Sequence, residues 1–376
     1  MLEITQHILM HGRRGRDMKV LALNSSARTG GESRTELMLS HLVSGMREAG
    51  AEVDVVHLRK KNIKNCIGCF TCMTKTPGQC VHKDDMTLEL FPKWLESDIV
   101  IYASPLFHYT LNATMKTFVE RTFPVCQPFL EQHGDIVYHP LRYRHPAVVL
   151  LSVAGFPQES VFDQLSKWAN YAFGKDGRQP DIKLVAEIYR PASETITRYQ
   201  NKLRDILDAT EQAGRELVQY MKISSRTMSR IKQPLDDSQN IVELGNMYWQ
   251  TCIDERVTPK QFKQRGMAPR PDSINSLMAI LQVGFNPQAA GDTRAILQFE
   301  FSGQVQGSCY FTIEKGTIRA MLGTAGEPDL TIKAPFEVWA DIMTGKADGA
   351  QMFMNQKYSA AGDMSLLMKI GQLFGG

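Results

Sequence analysis

Short apolar runs alternate with helical patterns through the first 220 residues of the chain. Residues 18–24 are an apolar run that leads into a Ser/Gly/Arg loop, which is typical of a buried parallel strand. Residues 34–49 then have apolar positions at helical spacing, and Gly50 stands where a helix C-terminus is expected. The same patterns predict further strands over 51–58, 98–107, 146–156 and 181–190, and helices over 112–121 and 194–222.

This alternation predicts an α/β fold. Strands separated by helices form right-handed crossovers and a parallel sheet that is covered on both faces. Five strands in about 205 residues fit a flavodoxin-like, doubly wound five-stranded parallel sheet. Ligands of such sheets bind at the carboxyl ends of the strands, near the point where the strand order reverses. The loops after the first, third and fourth strands are therefore the candidate binding region.

The second half of the chain has a different pattern. Residues 223–240 are polar and contain one proline, which predicts a linker between a domain at 18–222 and a smaller domain at 241–376. The second domain begins with a helical pattern. It continues with strand-like runs at 294–301, 308–313, 316–322 and 329–333 and helical patterns at 335–344, 347–354 and 363–374. Strands followed by segregated helices indicate an α+β domain.

Composition and charge exclude several classes of protein. Lys and Arg number 43 against 40 Asp and Glu, so the net charge is only +3 and a basic nucleic-acid-binding footprint is absent. No apolar run approaches the roughly 18 residues that a membrane span needs. Residues 1–17 lack the order of a signal peptide and are interpreted as an extension before a first strand at Met18. Seven cysteines, four of them within 15 residues, do not suit a secreted disulfide scaffold, so we expect a cytoplasmic protein.

The loop after the first strand has the chemistry of an anion site. Residues 24–35, NSSARTGGESRT, follow a strand and open a helix, where backbone N–H groups and the helix dipole favour a negative charge. Ser and Thr hydroxyls and two Arg side chains can add to the site. The loop has neither the Walker nor the dinucleotide glycine pattern, and it suits a terminal phosphomonoester such as that of FMN. The alternative is a solvated strand–helix turn with ordinary capping residues.

The same loop resembles that of NAD(P)H-dependent FMN reductases and their relatives, the iron–sulfur flavoproteins. Three further segments resemble the family in the same order: CIGCFTCMTKTPGQCVHKDDM at 66–86, SPLFHYTLNATMKTFVERTFP at 104–124 and VAGFP at 153–157. The resemblance covers about residues 18–220. It implies FMN bound non-covalently in a flavodoxin-like fold, with NAD(P)H as co-substrate, often in a homodimer or homotetramer whose subunits complete each other's flavin sites.

The resemblance also implies which residues hold the cofactor. The implied phosphate contacts are Ser25, Arg28, Ser33, Arg34 and Thr35. The implied ring contacts are Pro105, Leu106, Phe107, His108 and Tyr109, with Ala154, Gly155 and Phe156 at the far edge of the ring. These positions also fit physically, because a strand end presents backbone N–H groups and Gly155 allows a close backbone approach. The alternatives are core packing for Phe107 and Tyr109 and a plain surface position for His108.

Four cysteines are candidate metal ligands. Cys66, Cys69, Cys72 and Cys80 have the spacing C-x2-C-x2-C-x7-C, similar to the ferredoxin run C-x2-C-x2-C-x3-C. The final gap is longer than in the cluster-bearing members of the family. Three interpretations remain open: a [4Fe–4S] cluster, a zinc ion, or reduced thiols without metal. Cys126, Cys252 and Cys309 are assigned to packing.

Residues from about 284 to 374 resemble a sterol-carrier-protein type lipid-binding domain. The similar segments are 299–318, 328–348 and 352–370. The resemblance implies a small sheet with helices over one face, enclosing an apolar tunnel that holds a lipid. The alternative is a dimerisation or docking module without ligand. All nine histidines precede residue 146, which excludes a histidine-dependent triad in this domain.

Together these features predict a flavin-dependent oxidoreductase. Electrons would pass from NAD(P)H through bound FMN to a quinone, a flavin or an iron–sulfur acceptor, which is either a small molecule or a protein. No nucleophilic side chain is required, because the cofactor carries the chemistry. Two alternatives are a non-enzymatic flavin and iron–sulfur electron carrier, and a lipid-binding protein with a redox-sensing flavin domain.

Overall fold

The computed structural model describes residues 18–29, 31–174, 181–194, 200–235 and 241–374. The chain divides into two compact units, one up to residue 236 and one from residue 237 onward. The extension predicted at 1–17 lies outside the described residues. No helix in these ranges combines the length and the apolar character that crossing a membrane requires.

The first unit alternates strands with helices, as predicted. Its elements are β1 (Lys19–Asn24), α1 (Arg34–Glu48), β2 (Glu52–His57), α2 (Phe91–Glu96), β3 (Ile99–Phe107), β4 (Thr110–Leu111), α3 (Ala113–Glu120), β5 (Glu131–His133), β6 (Ile136–Tyr138), β7 (Ala147–Val153), α4 (Asp163–Ala172), β8 (Leu184–Arg190), α5 (Gln200–Tyr220) and α6 (Ser225–Lys232).

The central sheet of this unit has the order β2-β1-β3-β7-β8, and all four pairings along it are parallel. This order confirms the predicted flavodoxin-like fold. The short strand β4 pairs antiparallel with the end of β3, and β5 pairs with β6 in a separate hairpin. The sequence patterns did not predict β4, β5, β6 or α4.

Both faces of the sheet are buried. Alternate residues of β1 point to opposite sides: Val20 and Ala22 pack with α1 and α5, and Leu21 and Leu23 pack with α2, α3 and α4. A strand that is buried on both sides needs a nearly continuous apolar sequence, which is why the central strands could be recognised in the sequence.

Helices α1 and α5 touch through two glycines. A Cβ built on Gly214 would lie 2.8 Å from the Met46 nitrogen and closer still to the Leu42 carbonyl oxygen, and a Cβ on Gly45 would overlap the backbone of Glu211. The two backbones therefore approach too closely for any side chain at these two positions.

The predicted linker is wrong for much of its length. Residues 225–232 form α6, and Ile231 on this helix is fully buried in the core of the first unit. The buried guanidinium of Arg190 donates from Nη1 to the carbonyl oxygens of Ile231 (3.1 Å) and Gln233 (2.7 Å). Met228 and Ile231 lie three residues apart on this short helix, and both pack in the core of the first unit. Residues 236–240 lie outside the described residues.

The second unit is an α+β unit. Its elements are α7 (Ile241–Asp254), α8 (Pro259–Gln264), α9 (Ile274–Val283), α10 (Pro287–Ala290), β9 (Ala295–Ser302), β10 (Gly307–Glu314), β11 (Thr317–Leu322), β12 (Leu330–Pro335), α11 (Phe336–Met343), α12 (Gly349–Met354), β13 (Ser359–Gly362) and α13 (Met364–Phe374).

The sheet of the second unit has the order β11-β10-β9-β12-β13, in which only the β9–β12 pair is parallel. Residues from α9, α11 and α13 pack against its buried face. Aromatic rings fill the centre of this core: the Phe299 ring lies 5.7 Å from that of Phe311 and 5.3 Å from that of Trp339, measured between centroids. The predicted sheet with helices on one face is therefore present, and the tunnel stays a prediction.

Candidate functional site

Three loops meet at one edge of the first unit's sheet. Asn24, the last residue of β1, pairs with Ala103 of β3, and Pro105 of β3 pairs with Val153, the last residue of β7. The loops that follow β1, β3 and β7 are therefore neighbours. Since β2 and β3 lie on opposite sides of β1, this edge is also the point where the strand order reverses, as the sequence predicted.

The loop after β1 ends in a capped helix. The Ser33 hydroxyl oxygen accepts the Glu36 N–H at 3.0 Å as the N-cap of α1. Thr35, the second residue of the helix, is buried, and its backbone N–H has no acceptor within the helix because of its position. Ser25 is turned inward and donates its hydroxyl to the Ala103 carbonyl oxygen at 3.2 Å. Arg34 is half-buried at the start of α1. These four predicted contacts are thus brought to one turn.

Arg28, the fifth predicted phosphate contact, forms an ion pair with a residue outside this loop. Its Nη1 lies 2.5 Å from Oε1 of Glu194, which follows β8, and about half of each side chain is exposed. An anion in the loop and the Glu194 carboxylate would therefore compete for the same guanidinium.

Asn112 joins two of the loops, and the sequence did not single it out as a site residue. Its Oδ1 accepts the Met115 N–H at 3.1 Å as the N-cap of α3, and its Nδ2 donates to the Ser25 carbonyl oxygen at 2.7 Å. Ser104 also donates its hydroxyl to the Asn112 side chain, at 3.4 Å. The sequence could predict an Asn at a helix N-terminus. It could not predict that this Asn bonds to Ser25, 87 residues away.

A second overlooked residue is Arg59. It follows β2, the strand beside β1, and its guanidinium donates to the Ser26 carbonyl oxygen at 3.4 Å. It also lies 3.7 Å from a carboxylate oxygen of Glu36. Arg59 therefore brings a further positive charge to the loop after β1.

Replacing Asn112 by alanine is expected to destabilise the first unit by about 2–3 kcal/mol. The substitution removes a helix cap and leaves the buried Ser25 carbonyl oxygen without its amide donor. Urea unfolding measures the loss. The matched control is Asn286→Ala, which removes only the cap of α10 and should cost about 1 kcal/mol. Equal losses for the two variants would contradict a bridging role for Asn112.

The loop after β3 is a tight hairpin. Leu106 pairs with Leu111 and Phe107 with Thr110, so His108 and Tyr109 form a two-residue turn with φ values of +47° and +62°. Two successive left-handed residues are typical of a type I′ turn, which glycine or asparagine usually fills. Strain of this kind is found at binding sites more often than elsewhere.

The aromatic side chains of this hairpin are exposed. Phe107 and Tyr109 are 57% and 53% exposed, so the alternative that they pack in the core is wrong. Pro105 and Leu106 are half-buried, and His108 is exposed. The hairpin thus presents backbone and aromatic groups at the predicted ring position.

The loop after β7 is tied to the loop after β8. The Ala154 N–H donates to the Arg190 carbonyl oxygen at 3.0 Å, and the Phe156 carbonyl oxygen accepts the Ala192 N–H at 2.8 Å. The Phe156 ring is 59% exposed. A Cβ on Gly155 would meet only the Glu194 side chain, at 3.5 Å. The protein itself therefore does not require glycine at position 155.

The cysteine segment folds back on itself. The Gly78 N–H donates to the Cys72 carbonyl oxygen at 2.8 Å, and the Thr76 N–H donates to the Thr71 carbonyl oxygen at 2.9 Å. Gly78 has a φ of +82°, which favours glycine. The seven-residue gap is therefore a compact turn that returns Cys80 to the neighbourhood of Cys72.

All four predicted cysteines line one pocket of about 120 Å³. Burial, followed by repulsion from Cys80, raises the pKa of the Cys72 thiol, and Cys69 and Cys66 add smaller contributions of the same sign. Hydrogen bonds from Thr71 lower the pKa of Cys69. Four cysteine thiolates are the donor set that iron–sulfur clusters take. Within the described ranges no three His, Cys, Asp or Glu side chains are already arranged around a single metal-ion position.

A buried ion pair lies behind this pocket. Arg121 donates to Asp84 through two hydrogen bonds of 2.7 and 3.0 Å, and both side chains are almost completely inaccessible to solvent. Desolvation opposes the charge of Asp84, but the hydrogen bonds from Arg121 and the Lys64 amide outweigh it and hold the Asp84 pKa well below its usual range. Asp84 also accepts the Thr87 N–H at 3.2 Å, so the helix-capping role expected for an Asp at this position is only part of its function.

Comparison with protein families confirms both resemblances. Residues 18–174 match the family described as NADPH-dependent FMN reductase, and residues 281–375 match the SCP-2 sterol transfer family. Among solved structures, the NAD(P)H:quinone oxidoreductase of Methanothermobacter marburgensis is 17% identical, with a TM-score of 0.39, over 54% of this chain and 96% of that one. An FMN-dependent NADH-azoreductase of Bacillus anthracis in complex with FMN is 11% identical, with a TM-score of 0.40, over 54% and 99%.

Curated relatives match about 30% of this chain. An iron–sulfur flavoprotein of Archaeoglobus fulgidus is 40% identical over 107 residues, which are 28% of this chain and 46% of that protein. One from Methanocaldococcus jannaschii is 32% identical over 120 residues, which are 32% and 56%. The chain thus spans about half the length of these relatives. It joins a segment that matches the NADPH-dependent FMN reductase family to a segment that matches the SCP-2 sterol transfer family.

Proposed function

We propose that the first unit is an FMN-dependent oxidoreductase that takes electrons from NAD(P)H. The observation that carries the proposal is the meeting of the loops after β1, β3 and β7 at the switch point of the sheet, inside the segment that matches the FMN reductase family. Bound at this edge, FMN would supply hydride acceptance and electron transfer. The acceptor is a quinone, a free flavin or an iron–sulfur centre.

The residues of the three loops would divide the work of holding FMN. The N-terminus of α1 and the hydroxyls of Ser33 and Thr35 would bind the phosphate, with positive charge from Arg28 and Arg34. The Ser25 hydroxyl is committed to Ala103, so its part would be to fix the turn rather than to donate to the phosphate. Pro105–Tyr109 and Ala154–Phe156 would orient the ring, since preorganised backbone N–H groups stabilise charge that develops on a bound group.

We also propose that Cys66, Cys69, Cys72 and Cys80 hold a [4Fe–4S] cluster. The compact 72–78 turn supports this proposal, because it offsets the long final gap in the spacing. Two curated relatives that match part of this chain are named iron–sulfur flavoproteins. Such a cluster would supply one-electron transfer. Iron and acid-labile sulfide analysis of anaerobically purified protein tests it, and less than about one iron per chain would refute it.

Stopped-flow mixing with NADPH or NADH tests the enzymatic function. We expect one of the two nicotinamides to bleach the flavin absorbance at a rate sufficient for turnover. A protein that binds FMN but is reduced by neither nicotinamide would instead be a non-enzymatic electron carrier. A protein that takes up no FMN would refute the flavin site altogether.

Opposite effects on FMN affinity are expected at the Arg28–Glu194 pair. Arg28→Ala should weaken FMN binding about tenfold, since a charged hydrogen bond to phosphate is lost. Glu194→Gln should strengthen binding several-fold, because it removes the carboxylate that now competes for Arg28. Fluorescence titration of apoprotein with FMN measures both. The control is Glu48→Gln, which removes a similar pair with Arg215 away from the loop. Weaker binding in Glu194→Gln would contradict this assignment.

Assembly as a homodimer or homotetramer is part of the proposal. The exposed rings of Phe107, Tyr109 and Phe156 stand around the three loops, where a second subunit could cover them. Light scattering after size exclusion tests this assembly, and a monomer at micromolar concentration would refute it.

For the second unit we propose binding of an apolar ligand such as a lipid. The match to the sterol transfer family supports it, and so do exposed apolar side chains on α12 and α13, where Met354 and Met368 are 74% and 79% exposed. Native mass spectrometry and uptake of a fluorescent fatty acid are the tests. A protein that retains and takes up nothing would be assigned the docking role instead. A lipid that changed the rate of flavin reduction would favour a redox-sensing flavin domain.

A further inference from the structure

Arg121 has one donor to spare. A guanidinium carries five N–H groups. Its Nη1 donates to the Lys64 carbonyl oxygen at 2.6 Å and to Asp84 at 2.7 Å, and its Nη2 donates to Asp84 and to the Thr87 hydroxyl, each at 3.0 Å. The remaining group, Nε–H, is buried and has no hydrogen-bond partner in the part of the chain that the structure describes. A buried donor without a partner is rare in folded proteins and calls for an explanation.

The position of Arg121 beside the cysteine pocket explains its unpartnered donor. The residue lines the cysteine pocket together with Cys80, and its guanidinium lies within range of the Cys80 sulfur for both a charge interaction and a hydrogen-bonding interaction. Asp84, Thr87 and the Lys64 carbonyl fix both Nη atoms from the side of the protein core. These bonds hold the guanidinium in place, and the sulfur atoms of the pocket that Arg121 lines are candidate acceptors for Nε–H.

We propose that Arg121 is a positioning residue of the iron–sulfur centre, whose Nε–H donates to a sulfur atom held in the pocket and raises the reduction potential of the centre. The inference rests on the proposed cluster. The physical reason is that reduction adds negative charge to the sulfur atoms, so a fixed cationic donor stabilises the reduced state more than the oxidised state. Asp84 keeps the net charge of the buried pair at zero and holds the donor in place.

The test is a redox titration of the anaerobic holoprotein, followed by electron paramagnetic resonance. Arg121→Lys retains the charge and loses the fixed Nε donor. We expect the equilibrium constant for reduction of the cluster to fall about tenfold, which is about 59 mV for a one-electron couple. Iron and FMN content should stay at the wild-type level, since none of the proposed ligands changes.

Arg190→Lys is the matched control. Arg190 is also a fully buried arginine of the first unit whose Nε has no partner among the described residues, but the cysteine pocket is not lined by it. Its replacement should leave the potential unchanged. An equal shift in both variants would mean that the effect is a general consequence of disturbing the core, and would overturn the role of Arg121.

The remaining outcomes are also decisive. A wild-type protein without iron overturns both the cluster and this inference, whereas a wild-type cluster whose potential is unchanged in Arg121→Lys overturns this inference alone. If Arg121→Lys does not fold, the double variant Asp84→Asn/Arg121→Gln removes both charges of the pair together, which proteins tolerate better than the loss of one. An iron-containing double variant with the wild-type potential would overturn the role of Arg121.

Discussion

Replacing Gly214 by alanine is expected to destabilise the first unit by about 3 kcal/mol or more. The new Cβ would overlap the Leu42 carbonyl oxygen and approach the Met46 nitrogen to 2.8 Å, so α1 and α5 would have to move apart. Overpacking of this kind is costly because the obstruction is backbone and cannot change rotamer. Since α1 begins at the loop after β1, where we propose that the FMN phosphate binds, the shift should also weaken FMN binding. Urea unfolding should show a lower midpoint with an unchanged slope.

The control is the same substitution at a glycine with free space. Gly245 lies in α7, and a Cβ there would meet no atom within 4 Å. Glycine inside a helix is less favourable than alanine, so Gly245→Ala should stabilise the second unit by about 0.5–1 kcal/mol. Opposite signs for the two variants would identify contact between α1 and α5 as the cause. A neutral Gly214→Ala would show that the two helices can separate without cost.

The sheet of the first unit could be predicted because its strands are buried on both faces. Val20 to Leu23 are all buried and all apolar. Such a continuous apolar run can be recognised in the sequence without knowing which strands pair with it. The hairpin of β5 and β6 has no such run, since its residues are exposed or half-buried and its pairing depends on the Gly134 turn. In α6 a single turn of apolar spacing around Ile231 was too short to stand out from the polar residues beside it.

The residues of the candidate site could be predicted where the chemistry lies in one segment. The loop from Ser25 to Thr35 and the four cysteines are of this kind. The bond from Asn112 to Ser25, the pair of Arg28 and Glu194, and the pair of Arg121 and Asp84 all join segments that are distant in the sequence. Their partners are set by the strand order, so they could be identified only from the folded chain.

The fold of the cysteine segment also could not be predicted from its spacing alone. The seven residues between Cys72 and Cys80 form a longer gap than in the cluster-bearing family members, and the sequence left a cluster, zinc and free thiols open. The turn that shortens the gap is made by backbone hydrogen bonds from Gly78 and Thr76, which do not depend on an obvious sequence motif. Proline and glycine within the gap were visible, and turn chemistry is what those residues usually indicate.

Replacing Cys72 by serine is expected to abolish the iron–sulfur centre. Cys72 lines the pocket that the four cysteines share, and its partly buried thiol is close enough to the other three for their charges to interact. A serine hydroxyl is a much poorer ligand for iron than a thiolate. Iron content should fall below about one tenth of the wild-type value, and the broad absorbance of the cluster should disappear. FMN content should remain at the wild-type level, because the three loops that we propose hold FMN belong to other segments.

A fifth thiol provides the matched control. Cys126 lies near enough to Cys72 for their charges to interact, but it is not among the residues that line the cysteine pocket. Cys126→Ser should therefore retain its iron. If iron were lost from Cys126→Ser and kept in a serine variant of Cys80, the ligand set would be Cys66, Cys69, Cys72 and Cys126, and the short turn from Cys72 to Gly78 would have no part in binding.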